Sequence, residues 1–269
     1  MELNANKFQL ITHRYSTNDN LIRNLPFNGS YFCYKTANGT DLSTEPFVRD
    51  LGVVFSEDMS WSKHIQTIVT NANTMAAWTL NVFSSRAPFV MLTLYKSLVR
   101  SRLEYCSPVW TSSKLGNIRL LENVQRSFTA KIDGMSYYDY WGRLSALRLS
   151  SLQRRRERFI IFHMWKILYS KVPNDLDLEF IHRNDHIKAV LKPLPRCSAR
   201  AQSLYEDSFV IYGVKLWNIV PRTATIVDSF PAFKVVVDAF LEGIPDRPPL
   251  EGYPYTSSNS LLELVRQSR

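Results

Sequence analysis

Residues 92–128 read LTLYKSLVRSRLEYCSPVWTSSKLGNIRLLENVQRSF, and this stretch decides the fold. Met91, Leu94, Tyr95, Leu98 and Val99 recur at helical spacing, so the first half is a helix with one apolar face. Lys96, Arg100 and Arg102 fall largely off that face. Pro108 disfavours helix at Ser107, which places a turn there. Leu121, Val124, Phe128 and Ile132 then form a second stripe, with Arg119, Arg126 and Lys131 off it. The spacing predicts an antiparallel helical hairpin that buries its stripes and presents basic outer faces.

More helices follow on both sides. Ser60 can cap a helix running to about Ser84, with Ile65, Ile68, Val69, Ala72, Met75, Ala76, Leu80 and Phe83 apolar. Pro88 suits a first helical turn. Residues 152–169 predict a helix with Leu152, Phe159, Ile160, His163, Ile167 and Leu168 inward. Arg154, Arg155 and Arg158 then fall on its outer side. Residues 204–219 and a helix capped by Ser229 complete the set. Short strands are expected at 6–13, 31–34 and 50–55, too few to make a stable sheet alone. Residues 173–200 read as a long proline-marked loop. The fold class is mainly α with a small β piece. The expected divisions are 1–58, 59–172, 173–242, and a disordered tail at 243–269.

Charge narrows the function. The net charge of +9 is not spread evenly over the 269 residues. Residues 61–172 hold 17 Lys/Arg against 5 Asp/Glu, a net +12. The flanking segments 1–60 and 173–269 come to −2 and −1. A field concentrated in this way attracts polyanions. No apolar run is long enough to span a bilayer and no signal pattern opens the chain, so an intracellular protein without a membrane partner is expected. Cys33, Cys106 and Cys197 are far apart and suggest reduced thiols. His182, His186 and Cys197 lack a fourth zinc ligand, and no metal site is expected. The tyrosines at 137, 138 and 140 and Trp141 read as a core corner, with stacking on bases the other reading.

A resemblance sharpens this. LYKSLVRSRLEYCSPVW followed by LLENVQRSFT is similar to the segment after the polymerase core in reverse transcriptases of non-LTR retrotransposons, the jockey-like and LINE-like elements. Residues 50–61 (DLGVVFSEDMSW) resemble that family's DLGV…F…LSW stretch, and residues 3–13 (LNANKFQLITH) its LN..K strand. Residues 140–156 (YWGRLSALRLSSLQRRR), 216–221 (LWNIVP) and 229–234 (SFPAFK) resemble its later motifs. The six pieces stand in the family's order over most of residues 1–241.

The resemblance implies the end of a palm, a thumb-like helical bundle that grips template–primer, and a post-thumb region. The family's RNA-directed DNA synthesis needs two metal ions held by close carboxylates. The (F/Y)xDD hairpin that supplies them has no counterpart here, and there is no Asp-Asp pair. Asp175 and Asp177 lie outside the matched motifs. No catalytic residue and no cofactor is assigned; the parent activity would use Mg²⁺ on ligands this chain lacks. No GxSxG, phosphate loop or HExxH offers another chemistry. The expected function is nucleic-acid binding, with RNA–DNA hybrid as the implied partner, through Lys96, Arg100, Arg102, Arg119, Arg126, Arg154, Arg155 and Arg158. The alternatives are a protein-interaction module, whose partner could be the missing polymerase half or another protein, and a truncated element product without maintained function.

Overall fold

The computed structural model describes residues 9–11, 35, 39, 45–173, 176, 178–183, 186–191, 205–250 and 259–267. The chain divides into two compact units, residues 1–64 and 65–269. The second is undivided at 172 and 242, where the sequence suggested boundaries.

In the first unit β1 (Phe47–Asp50) and β2 (Val53–Ser56) pair antiparallel, with Asp50 opposite Val53 and Phe47 opposite Ser56. The single strand expected at 50–55 is therefore a hairpin corner. Leu51 and Gly52 have φ of 44° and 89°. Positive φ at both central residues is what a tight hairpin turn requires. Leu-Gly is an unusual way to meet it, and the Leu51 side chain is 83% exposed at the tip. The Val54 N–H donates to His64 Nδ1 at 3.2 Å, and burial lowers that imidazole to about 4. Of the strand expected at 6–13, only residues 9–11 are described, with an isolated bridge at Leu10. The strand expected at 31–34 lies outside the described residues, as do His13, Cys33, Asp175, Asp177 and Cys197.

Helix α1 (Ser62–Val82) starts two residues after the expected Ser60 cap and leads into the second unit. There α2 (Pro88–Leu94), a π-helical turn (Tyr95–Arg100) and α3 (Ser101–Glu104) follow one another without a break. Met91, Tyr95, Val99 and Leu103 are fully buried along this rod. The next helix, α4 (Leu115–Thr129), buries Leu121, Val124 and Phe128, and the Tyr95 and Phe128 rings lie 5.1 Å apart. Each such burial contributes roughly 1.5–3 kcal/mol. Both sequence stripes thus face inward as the spacing predicts. The turn before Pro108 passes through Cys106 at φ 52°.

Helices α5 (Tyr140–Ala146) and α6 (Leu152–Leu168) follow. The long loop expected at 173–200 contains instead an antiparallel hairpin, β3 (Leu178–Arg183) and β4 (His186–Leu191). It packs on α7 (Phe209–Trp217): Trp217 Nε1 donates to the Ile187 carbonyl, and the Asn218 amide bonds both the N–H and the C=O of Ala189. Helices α8 (Arg222–Thr225) and α9 (Phe230–Glu242) close a second core of Ile160, Trp165, Leu216, Trp217, Phe233 and Val237. A Cβ at Gly213 would meet Met164 Sδ at 2.9 Å, so glycine lets α7 approach α6.

The expected disordered tail is also corrected over its described residues, 243–250 and 259–267. Residues 248–250 are buried, and α10 (Leu261–Gln267) follows with Leu261 fully buried in the second core. Proline and polar residues there signal irregular backbone, and irregular backbone can still be held by side chains from elsewhere.

Candidate nucleic-acid interface

The eight cations expected to meet phosphates are not one surface. Arg154 is only 3% exposed. Its guanidinium donates to the carbonyls of Leu241, Ile244 and Pro245 at 3.4, 3.3 and 2.9 Å. Those groups lie at and just beyond the end of α9, where a cation satisfies carbonyls that have no helical partner. Arg155 pairs with Glu104 of α3, and Arg158 pairs with Asp238 of α9. The expectation that these three lie on an outer face is therefore corrected. Helix α6 is wrapped on most sides, so leaving its apolar stripe does not mean reaching water.

Arg100 comes within 3.7 Å of Glu104 as well, so one carboxylate gathers two of the expected cations from separate helices. Burial, then the neighbouring Arg155 charge, lowers Arg100 from its usual value. Arg119 and Arg126 are half-buried on α4. Lys96 and Arg102 are exposed on the π-helical turn and α3, and Arg102 Nε donates to the Leu98 carbonyl at 3.1 Å. These two are the expected residues most open to solvent.

The structure also places charge that periodicity alone does not reveal. Three clefts along α6 differ in their charge. One of about 440 Å³ sets Arg156 against Glu157, Asp207 and Glu263. Another of about 640 Å³ balances Arg154, Arg155 and Arg158 with Asp238, Glu242 and Asp246. A third, about 600 Å³, carries Arg158, Lys166 and Lys234 against Glu104 alone. Of the three, only the last favours an anion. Its walls include Phe159, Phe162, Phe230, His163 and the 54%-exposed Tyr105. Lys166 and Lys234 Nζ stand 5.4 and 5.1 Å from the centre of the Phe230 ring. Burial, then the Lys166 charge, lowers His163 from its usual value, which favours a neutral ring in this groove. The signal in the sequence was the aromatic and lysine spacing of α6 and α9, hidden because the two helices are far apart in the chain. Of the residues 137–141, Tyr137 is 92% exposed while Tyr140 is buried.

Beneath the surface lies a polar network. Tyr95 OH donates to Gln125 Oε1 at 2.8 Å, and Gln125 Nε2 donates to Tyr140 OH at 2.9 Å. Tyr140 OH in turn donates to Glu122 Oε2 at 2.7 Å, and the Gln153 N–H donates to Glu122 Oε1. Glu157 accepts from Tyr212 OH at 2.6 Å and from the Leu261 N–H at the start of α10. Desolvation raises both carboxyls to about 7, although the hydrogen bonds they accept oppose it. Arg156, also buried, feels both of them, and burial lowers it from its usual value. These groups are enclosed and join helices together. Among the described residues no group of three His, Cys, Asp or Glu could hold a metal ion. No helix among them is long and apolar enough to cross a membrane.

Comparison with family models, with curated proteins and with solved structures finds no match for this chain.

Proposed function

We propose that this chain is the nucleic-acid-gripping part of an RNA-directed DNA polymerase of the non-LTR retrotransposon kind, and that it acts by binding rather than by catalysis. The observation that carries the reading is the surplus positive charge, net +12, confined to residues 61–172. The six ordered motifs of the resemblance agree with it. Binding along a duplex backbone needs exposed cations and little base reading. Lys96 and Arg102 meet that need, whereas Arg154, Arg155 and Arg158 are held by internal partners.

The test is binding of a fluorescent RNA–DNA hybrid across a salt series. The expected result is a log K that falls linearly with log salt. Lys96→Ala with Arg102→Ala should flatten the slope by roughly 0.9 for each phosphate no longer neutralised. A hybrid bound with no salt dependence, or not at all, would sink the proposal. The second reading, a protein-interaction module, draws on the apolar side chains of Trp78, Val82 and Phe89, which are 51%, 55% and 83% exposed.

A further inference from the structure

We infer that the groove between α6, α9 and the turn after α3 takes an unpaired nucleic-acid strand. The inference rests on the nucleic-acid reading above and names a distinct site within it. It is an open groove of about 600 Å³, shallow enough to admit an extended strand along its length. Of the cations lining it, Arg158 is neutralised by Asp238. Lys166 and Lys234 form no ion pair among the described residues and are only partly buried. The one acid among the described lining residues, Glu104, is already held by Arg155 and Arg100. Two cations are thus left without a carboxylate, beside aromatic side chains.

That combination selects among polyanions. Duplex phosphates would satisfy the lysines, but duplex bases are stacked inside and cannot reach Tyr105 or Phe159. An unpaired strand offers both phosphates and the faces of its bases, and stacking on aromatic side chains is how such strands are held without sequence preference. An acidic peptide would satisfy the charge alone. The groove has a third element: Ser107 lines it, is fully buried, and its Oγ has no hydrogen-bond partner among the described residues. A hydroxyl in that state suits a phosphate or sugar oxygen.

The test uses the full chain, a twelve-nucleotide oligo(dT) strand, a mixed-sequence duplex of equal length, and anisotropy across a salt series. Lys166→Gln with Lys234→Gln should flatten the single-strand slope by roughly 1.4, at 0.7 for each phosphate, and change duplex binding far less. Tyr105→Ala should weaken the single strand by roughly fivefold or more, as loss of one stacked base does. Poly-L-glutamate should compete poorly. The inference fails if the double variant, melting as the wild type does, keeps the single-strand affinity and slope, or if poly-L-glutamate displaces the strand at equal charge. Duplex binding that depends on Lys96 and Arg102, with the groove variants silent, overturns this site and leaves the parent reading standing. Absence of all binding overturns both.

Discussion

Replacing Arg154 with alanine separates a structural arginine from a phosphate-binding one. In the folded protein its guanidinium serves three carbonyl oxygens, those of Leu241, Ile244 and Pro245, and lies 3.9 Å from Glu157. Alanine leaves those oxygens without this donor and, above about pH 7 where Glu157 is ionised, takes a cation away from a buried carboxylate. Breaking a buried charged arrangement by removing one partner costs about 3–5 kcal/mol. For a unit of about 200 residues that lowers Tm by roughly 6–20 °C. Lysine should rescue little, because one ammonium cannot span three acceptors as a planar fork does. The assay is urea and thermal unfolding, run beside hybrid binding on the fraction still folded. A surface arginine behaves in the opposite way: stability moves by less than about 0.5 kcal/mol and the salt slope flattens. That second pattern would refute the placement of Arg154.

Two further outcomes are expected. Glu122 and Glu157 keep their protons up to about pH 7, whereas an unfolded glutamate ionises near 4.5. Between those values the folded protein binds more protons than the unfolded chain, so this contribution is full below pH 4.5 and is lost as pH rises through 7. Each group accounts for roughly 3 kcal/mol across the window. Glu122→Gln should therefore flatten the fall in urea midpoint between about pH 5 and 7.5, and an unchanged profile would contradict the assignment. Glu104→Gln should release Arg100 and Arg155 together and steepen the salt slope for hybrid by roughly 0.9 for each additional phosphate they neutralise. A slope equal to the wild type would mean that the two arginines stay withdrawn.

The helices were legible in the sequence because their apolar stripes are long and regular. Leu121, Val124, Phe128 and Ile132 mark α4 and its end, and all four are buried. Phe233 and Val237 mark α9 in the same way. What periodicity could not give was the other side of α6. Gln153, Arg154, Arg156 and Glu157 are all buried there, beside the stripe and not on it. Their partners come from α4, α7 and the C-terminal segment, and no local pattern encodes a meeting of that kind. Charge counting failed at the same place. It treated every arginine as available, whereas Glu104 and Asp238 claim three of them. The β3–β4 hairpin was missed because polar composition and prolines suggested a loop. Alternation in β4 was the signal, since Ile187 and Ala189 are buried and lie two residues apart. The first turn was missed because Leu51-Gly52 lacks the usual asparagine.

The stripe of Ser151, Arg154 and Glu157 has a consequence during synthesis on the ribosome. Ser151 binds Asp246, Arg154 binds the carbonyls beyond α9, and Glu157 binds the start of α10. Those partners follow by 95, 91 and 104 residues. At translation speeds of about 5–20 residues per second, they emerge several seconds after α6 does. During that interval α6 carries a carboxylate, a guanidinium and a hydroxyl shaped for an enclosure that has not yet been made. A nascent chain halted just before Leu241 would hold helices α1 to α8 and leave this row of polar groups open. The segments that close α6 are therefore translated 91 to 104 residues after the groups they cover, and a chaperone that holds the nascent bundle would act in those seconds.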